Sequence, residues 1–302
     1  MSAKNFANLP IPLPPLPEQK KIVEKIEELF SGLDSGVASL KKAKELVRLY
    51  RQSVLASAFS GKLTSDKTPK VDGGINNKQL IIKNEKAKNN SSLLILNSSL
   101  PTGWKWVKLG EVCIKIGDVD HKMPKPVENG KYPYLSTKDF TDDLKIDFKK
   151  AKLISEEDFN LLSKKIKPQK GDIIFPRYGT IGKNVLVDCD KEFLVSYSCA
   201  VIKPNTEKIV TKYLYHYSLS PLIQKEIKKY TVQTTQANVG IESIKNFVVP
   251  LPSIIQQAKI VEEIESRFAG SEALEKTIDE NLAKSETLRQ SILKKAFEGH
   301  LI

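Results

Sequence analysis

Long apolar segments are missing from this sequence of 302 residues. No run approaches the roughly 18 apolar residues that a membrane-spanning helix requires, and the opening residues Met-Ser-Ala-Lys-Asn contain no secretory signal. The three cysteines form no Cys-x-x-Cys pair, and the three histidines are far apart. This pattern excludes a disulfide framework and predicts no metal site. We therefore expect a reduced, cytoplasmic protein that does not bind a membrane.

Catalytic motifs are missing as well. Gly179-Thr-Ile-Gly-Lys-Asn184 is too short for a P-loop, which has four residues between its glycines and Ser or Thr after its lysine. The sequence also lacks the dinucleotide-binding Gly-x-Gly-x-x-Gly after a strand, Gly-x-Ser-x-Gly, His-Glu-x-x-His and the Asn/Asp-Pro-Pro-Phe/Tyr tetrapeptide of amino-methyltransferases. These absences predict no catalytic residues and favour a binding protein.

Acidic residues are outnumbered, since 48 Lys and Arg stand against 36 Asp and Glu, which gives a net charge of +12. Residues 100–250 hold 25 basic and 18 acidic residues, so most of the excess lies in the middle of the chain. The densest window, 161–183, has six basic residues and one acidic residue. A field of this sign attracts polyanions, either nucleic acid or an anionic membrane. An ordinary solvated lysine-rich surface is the alternative.

An internal repeat frames the chain. The heptapeptide that begins at Lys21 recurs at Lys259, and the 13 residues from Arg51, which include Ala-Phe-Ser-Gly, recur from Arg289 with Ala-Phe-Glu-Gly. Both pairs have the same offset of 238 positions, so the register holds without a gap. A proline-rich segment precedes each copy, and no proline lies inside either. Each copy therefore predicts a long helix, with Gly61 and Gly299 as C-caps.

Heptad spacing predicts that the two helices form a coiled coil. One row of heptad positions runs from Ile26 to Val54, and a second row is predicted at Ile22, Leu29, Gly36, Ala43 and Tyr50. The second copy keeps apolar residues in these rows, including Leu274 and Leu288, between polar interruptions. The candidate interface residues are Ile22, Ile26, Leu33, Leu40, Val47, Val54, Ile260, Ile264, Ile278 and Ile292. Two surface helices of one compact domain are the alternative.

The fold class predicted is α+β: one mixed α/β domain attached to a long antiparallel two-helix coiled coil. We expect a first helix over 18–61, a polar linker over 62–99, the mixed domain over 100–252 and a second helix over 253–302. Within the mixed domain, strands are predicted at Asp172–Phe175, Val185–Asp188 and Phe193–Ile202. Helices are predicted at Ser155–Lys164 and Thr211–Lys229.

Two polar clusters in the middle region suit DNA. Around Arg177, an aromatic residue, a flexible turn and a hydroxyl lie together, and arginine pairs bidentately with guanine. The second cluster, Thr231–Asn238, is rich in side-chain amides, which can hydrogen-bond to adenine edges. The candidate DNA-binding residues are Arg177, Tyr178, Gly179, Thr180, Lys183, Lys138, Gln233, Thr234, Gln236 and Asn238. A polar surface turn is the alternative for each cluster.

The sequence resembles the specificity (S) subunit of type I restriction-modification systems. The resemblance is carried by Leu13-Pro-Pro-Leu-Pro-Glu-Gln-Lys-Lys-Ile-Val-Glu-Lys-Ile-Glu, the segment from Arg51, Leu100-Pro-Thr-Gly-Trp, Gly171-Asp-Ile-Ile-Phe-Pro-Arg-Tyr-Gly and Thr235-Gln-Ala-Asn. It implies that the middle region is a target recognition domain and that the helices are the family's conserved regions.

The resemblance also implies partners and cofactors. Methyltransferase (M) subunits would dock on the helices and a restriction/translocase (R) subunit would cut, while this chain recognises double-stranded DNA. S-adenosylmethionine, Mg and ATP would bind those subunits, and this chain would carry no cofactor. The usual family pattern has two recognition domains, and residues 1–17 look like the end of a first one. We therefore expect a half-length form, which could pair as a homodimer.

Two other classes of function compete with this expectation. A coiled-coil scaffold whose middle domain binds protein rather than DNA is the main alternative. The excess of positive charge in residues 100–250 favours DNA. A stand-alone methyltransferase or nuclease would need the motifs that the sequence lacks.

Overall fold

The computed structural model describes residues 12–63, 100–121, 123–231 and 237–302. The chain divides into two compact units. The coiled-coil unit comprises Met1–Arg51 and Arg267–Ile302, and the mixed unit comprises Gln52–Ser266. The α-helices are α1 Leu16–Phe59, α2 Glu156–Ser163, α3 Thr211–Ser218, α4 Pro221–Tyr230, α5 Ile241–Lys245 and α6 Ile254–Phe297.

The two predicted long helices are α1 and α6, and each has 44 residues. Both end as the sequence predicts, because Gly61 and Gly299 each adopt a φ of +74° that other residues rarely accept. The N–H of Lys62 donates to the carbonyl of Ser57 (2.9 Å), and His300 donates to Lys295 (2.8 Å). These bonds satisfy carbonyls that the last helical turn leaves open.

The helices are antiparallel in the coiled-coil unit. Lys44 Nζ pairs with Asp279 at 2.6 Å, and Arg289 pairs with Asp34. Each of the ten candidate interface residues is buried or half-buried. The predicted second row is wrong at Gly36 and Tyr50, which are exposed.

The second row of the seam instead starts four residues after Ile26, at Phe30, and continues through Val37, Lys44 and Arg51, all of them half-buried. Lysine and arginine fit there because their aliphatic stems pack while their charged ends reach carboxylates. Arg51, for example, pairs with Glu275 at 2.9 Å.

The same shift of register applies to α6. Leu274 and Leu288 were expected in the seam, but both side chains are exposed. Ile264, Ser271, Ile278 and Ile292 are buried. Ser271 is accommodated because its hydroxyl bonds to the Phe268 carbonyl at 2.8 Å and accepts from Arg51 Nε at 2.7 Å.

One contact occurs twice in the coiled coil. The Arg51 guanidinium lies over the Phe268 ring at 5.8 Å, and the Arg289 guanidinium lies over Phe30 at 4.6 Å. Arg289 and Phe268 are the repeat equivalents of Arg51 and Phe30, since both pairs are 238 positions apart. The sequence repeat is therefore expressed as an internal pseudo-twofold symmetry of the helix pair.

The described residues of the mixed unit contain nine strands: β1 Lys105–Lys108, β2 Cys113–Gly117, β3 Tyr132–Leu135, β4 Lys152–Ile154, β5 Ile173–Pro176, β6 Val185–Leu186, β7 Leu194–Val195, β8 Cys199–Pro204 and β9 Val248–Leu251. They form three small sheets. In order they are β2–β8–β5–β6, β4–β3–β7 and the pair β1–β9. All pairings are antiparallel except that of β3 with β7.

The strand predicted over Phe193–Ile202 is two strands in the structure. β7 pairs with β3 and β8 pairs with β5 and β2, so the chain crosses from one sheet to another between them. Ser196-Tyr197-Ser198 makes the crossing, and the Cys199 N–H donates to the Ser196 carbonyl at 2.9 Å. The prediction failed because an apolar run does not reveal a change of pairing partner.

The single helix predicted over Thr211–Lys229 is also two helices, α3 and α4. Pro221 cannot continue a helix from α3 because it has no N–H, but it suits the first turn of α4. Ser220 caps α4 by accepting from Ile223 N at 3.5 Å. The helix predicted at Ser155–Lys164 agrees with α2, which Ser155 caps.

The end of α1 is built into the core of the mixed unit. Phe59 packs edge-to-face against Tyr213 and Tyr217 of α3, with ring centroids 5.2 Å away in both cases. Both tyrosine hydroxyls donate to carbonyls of β9, Pro250 and Val248. The compact mixed unit thus extends past the predicted borders at 100 and 252. The α+β fold class itself is confirmed.

Candidate nucleic-acid interface

The structure brings the two predicted DNA-binding clusters together. Tyr178 and Asn238 form an isolated antiparallel bridge, and the Val239 N–H donates to the Arg177 carbonyl at 3.1 Å. On its other side, the Arg177 N–H donates to the Ser198 carbonyl at 2.8 Å. Gln233, Thr234 and Gln236 lie outside the described residues.

Arg177 does not present a free guanidinium. Its side chain is 6% exposed and pairs with Asp118 at 3.3 Å. The same guanidinium lies 5.1 Å from the Tyr178 ring centre, and its Nη2 donates to the Tyr178 hydroxyl at 3.3 Å. Burial and this ion pair hold the Arg177 charge inside the domain, so the structure does not favour the predicted base contact, which stays a prediction.

Asp118 is a buried carboxylate that pairs with more than one basic side chain. Besides Arg177, it accepts from Lys165 Nζ at 3.1 Å, and Lys165 also reaches Asp120 at 3.3 Å. Burial alone would lower the pKa of Lys165, but its bonds to the two aspartates outweigh burial and raise it. Lys165 and Arg177 together neutralise a carboxylate that would be costly to bury unpaired.

Most of the basic side chains in the window 161–183 form ion pairs with acidic residues. Lys167 pairs with Glu192 at 2.8 Å, Lys170 with Asp190 at 3.0 Å and Lys183 with Asp142 at 3.2 Å. Exposed pairs of this kind are weak and screened by salt. The window nevertheless carries less uncompensated charge than its composition indicated.

The predicted turn after Tyr178 is present. Gly179 and Gly182 have φ of +67° and +89°, and the Lys183 N–H donates to the Thr180 carbonyl at 3.3 Å. Gly179, Thr180 and Lys183 are exposed. Asn184, which follows the turn, is buried and donates to the Ser218 carbonyl at 2.7 Å. Its amide therefore ties the turn to the C-terminal end of α3.

Aromatic rings line the surface beside the turn. His121 stacks on Tyr197 with centroids 4.5 Å apart, and Tyr178 meets Tyr197 edge-on at 6.2 Å. The sequence analysis missed both Tyr197 and His121. The only available signal was Ser-Tyr-Ser within an otherwise apolar run.

Lys138 lies on the rim of an open cavity of about 460 Å³ in the mixed unit. The cavity is bounded by β3, β4 and the crossing between β7 and β8. Its lining includes Tyr134, Ser136, Lys150, Lys152, Ser196 and Ser198, none of which the sequence analysis singled out. They were missed because they come from three separate segments that only strand pairing brings together.

Reactive groups are few in the part of the chain that the structure describes. No cluster of three or more metal-ligating side chains occurs among the described residues. Burial raises the pKa of Cys113 and of Cys199 to about 12, so both thiols stay protonated and unreactive. Among these same residues, no helix is long and apolar enough to cross a membrane.

Along the chain, a mixed sheet domain lies between two copies of a helical repeat, and its surface carries aromatic rings and lysines. The family model described as "Type I restriction modification DNA specificity domain" matches residues 1–41 and 101–284. The chain therefore belongs to this family.

Two of the curated relatives align with 98% or more of the chain. The chain is 30% identical over 303 residues to the type I restriction enzyme EcoBI specificity subunit of Escherichia coli, with 100% of this chain and 60% of that protein covered. It is 29% identical to the EcoKI specificity subunit of Escherichia coli strain K12, with 98% and 59% covered. The chain thus spans about 60% of the length of these relatives.

Solved structures agree on the fold. A chain from a study of complex assembly and conformational transition of the type I R-M system superposes with a TM-score of 0.69 at 23% identity, covering 99% of this chain and 64% of that one. The HsdS subunit from Thermoanaerobacter tengcongensis gives 0.51 at 22% identity, with 96% and 60% covered. At these identities the likeness concerns the fold alone.

Proposed function

We propose that this chain is a DNA sequence-recognition subunit of a type I restriction-modification complex. The mixed unit binds a specific site or half-site in double-stranded DNA. The observation that carries the proposal is the family match, which covers nearly the whole described mixed unit as well as parts of both long helices. The coiled-coil scaffold alternative finds no support in the comparisons.

The coiled coil is the proposed docking surface for methyltransferase and restriction/translocase subunits. Besides its seam, α1 carries Leu46, Leu49 and Tyr50 with exposed side chains, and α6 carries Leu274 and Leu288. Exposed apolar residues along a rod favour contact with further chains. In this proposal the chain itself is non-catalytic, and S-adenosylmethionine, Mg and ATP bind its partners. In this proposal, the complex binds DNA in the cytoplasm.

A gel-shift titration of the purified full chain tests DNA binding. Affinity should fall steeply with salt, because neutralising phosphates releases counterions. A parallel incubation with DNA and labelled S-adenosylmethionine should transfer no methyl group until methyltransferase subunits are added. A chain that binds no duplex, alone or with those subunits, would contradict the proposal.

We also propose that two copies of the chain associate. Leu13 and Phe297 are exposed and line an apolar cavity of about 550 Å³ in the coiled-coil unit, together with Ile22, Val23 and Ile26. A second copy would cover this surface, and a symmetric dimer would read an interrupted palindrome. Light scattering should give twice the mass of one chain, and Phe297→Asp should lower this value to the mass of a single chain. A monomer, or methylation at two unrelated half-sites, would rule the homodimer out.

A further inference from the structure

The open cavity in the mixed unit combines features that single polar turns lack. It lies where the end of β3, the start of β4 and the crossing segment Ser196–Ser198 meet. Its volume of about 460 Å³ exceeds what one side chain fills. Among its lining residues, we call the exposed Lys138, Lys150 and Lys152 the rim, Ser196, Ser198 and Asp139 the floor, and Tyr197 the aromatic wall.

The rim carries positive charge that the protein itself does not neutralise. Lys138, Lys150 and Lys152 are exposed, and within the described residues none of them has an acidic partner at ion-pair distance. Lys167, Lys170 and Lys212, by contrast, pair with Glu192, Asp190 and Glu265 at 2.7–3.0 Å. Unpaired lysines side by side repel one another and favour an anion between them.

The floor offers donors and acceptors in fixed positions. The Ser196 and Ser198 hydroxyls bond to each other at 2.5 Å. Asp139 is held by the Ser136 N–H at 2.7 Å and the Ser136 hydroxyl at 3.0 Å. Serine hydroxyls bond to several base edges, and a carboxylate accepts from cytosine.

Tyr134 adds a hydroxyl that is buried but unsatisfied. The residue is 5% exposed, and although its oxygen lies near the Tyr197 backbone N–H, the hydroxyl finds no acceptor for its own proton within the described part of the chain. Burial raises its pKa to about 12, so the phenol keeps its proton as a donor. A buried unsatisfied hydroxyl in a cavity lining is costly unless a ligand or water completes it.

Neighbouring aromatic side chains pack against the aromatic wall and support it. Tyr197 lines the cavity, stacks on His121 and meets the edge of Tyr178. Tyr178 is in turn held by the buried Arg177, whose charge pairs with Asp118. Arg177 is therefore a positioning residue for this wall.

We propose that this cavity is the base-reading site of the mixed unit. The three rim lysines hold DNA phosphates, while the serine hydroxyls, Asp139 and Tyr134 face base edges. The proposal rests on the DNA-recognition function proposed above and adds the residues that read sequence. It assigns sequence preference to the crossing segment and not to Arg177.

Two triple variants of equal charge test the phosphate contacts. The full chain with Lys138→Ala, Lys150→Ala and Lys152→Ala should lose about three units of salt slope. Between 50 and 200 mM salt the wild type should then lose about 40-fold more affinity than this variant. The control with Lys167→Ala, Lys170→Ala and Lys212→Ala removes the same charge from ion-paired positions and should keep the wild-type slope.

Selection from a randomised duplex library tests base reading. Ser198→Ala should lower the preference at one or two base positions by about fivefold or more, with an unchanged salt slope. Ser163→Ala removes a hydroxyl that bonds to the Asn160 carbonyl of its own helix, and it should leave the selected sequence unchanged. Melting temperatures of all variants report whether they fold.

The possible failures are distinguishable. A wild-type chain that selects no sequence and shows no salt-dependent binding overturns both this proposal and the proposed function. A wild type that binds, with equal salt slopes for the two triple variants, overturns the cavity alone. An unchanged selected sequence in folded Ser198→Ala overturns the assignment of base reading to the crossing segment.

Discussion

The two long helices are close copies in sequence but differ in what surrounds them. Both have 44 residues, and both end in Ala-Phe-x-Gly with the glycine at a φ of +74°. Yet Phe59 is 1% exposed between two tyrosines, whereas its repeat equivalent Phe297 is 61% exposed. The repeat thus determines where a helix ends, while distant residues determine whether that end is buried.

The largest expected effect tests this difference directly. Phe59→Ala should cost about 3–5 kcal/mol of unfolding free energy, because it empties a site enclosed by Tyr213 and Tyr217. Phe297→Ala should stay within about 0.5 kcal/mol at concentrations where the chain is monomeric. Denaturant unfolding of both variants measures this. Equal costs would mean that Phe297 is also enclosed.

A second prediction concerns the arginine that lies over an aromatic ring in the mixed unit. Arg177 is buried against Asp118, so Arg177→Ala leaves a buried carboxylate with Lys165 as its main remaining cation. We expect a loss of about 2–4 kcal/mol in unfolding free energy. Asp118→Asn in the Arg177→Ala background should recover part of it. An Arg177→Ala variant with full stability would show that the pair is not structural.

The pH dependence of stability should be concentrated in the mixed unit. Burial lowers the pKa of His216 to about 4, more than Glu265 offsets, so the folded chain holds it neutral. The unfolded chain binds the proton at about 6.5. Stability should therefore fall as pH drops from about 6.5 to about 4, by about 3 kcal/mol. His216→Gln, unfolded in urea at both pH values, should remove most of this difference.

The pseudo-symmetric arginines of the coiled coil should have smaller and similar effects. Arg51→Ala and Arg289→Ala each remove one cation–π contact and one partly exposed ion pair. We expect about 1 kcal/mol for each. Thermal melting at low and at high salt compares them. A much larger effect at one site would show that the symmetry of contacts is not a symmetry of energies.

The smallest effect concerns residues that heptad spacing placed in the seam. Leu274→Ala and Leu288→Ala should change stability by less than about 0.5 kcal/mol because both side chains are exposed. Ile278→Ala is the matched buried change and should cost about 2–5 kcal/mol. If Leu274→Ala were as damaging as Ile278→Ala, the register of the seam would be the predicted one.

Much of the fold followed from local signals. The long helices, their glycine caps and the α+β class were predicted correctly because periodicity, proline placement and turn glycines act over a few residues. The second seam row was wrong at Gly36 and Tyr50, because heptad spacing does not distinguish these positions from the neighbouring Val37 and Arg51, which pack against the partner helix. The break between α3 and α4 has a local cause in the sequence, because Pro221 cannot continue a helix.

The candidate site was predicted less well. Tyr178 and Asn238 were predicted as DNA-binding residues of two separate clusters, and the structure joins them in one bridge, which the sequence did not predict. Arg177 was assigned to a base, although it pairs with Asp118, a residue 59 positions earlier. The composition of a basic window says nothing about which carboxylates lie nearby, so the free charge could not be located from sequence.

The sequence by itself determined the two helices, where they end, and the excess of positive charge in the middle of the chain. These features follow from each residue and its near neighbours. Only the tertiary structure decided that Phe59 is buried and Phe297 exposed, that the basic window is largely ion-paired, and that Ser196–Ser198 lies beside Lys138 and Lys152. Each of these depends on contacts between distant segments, which strand pairing and ion pairing create only when the chain is folded.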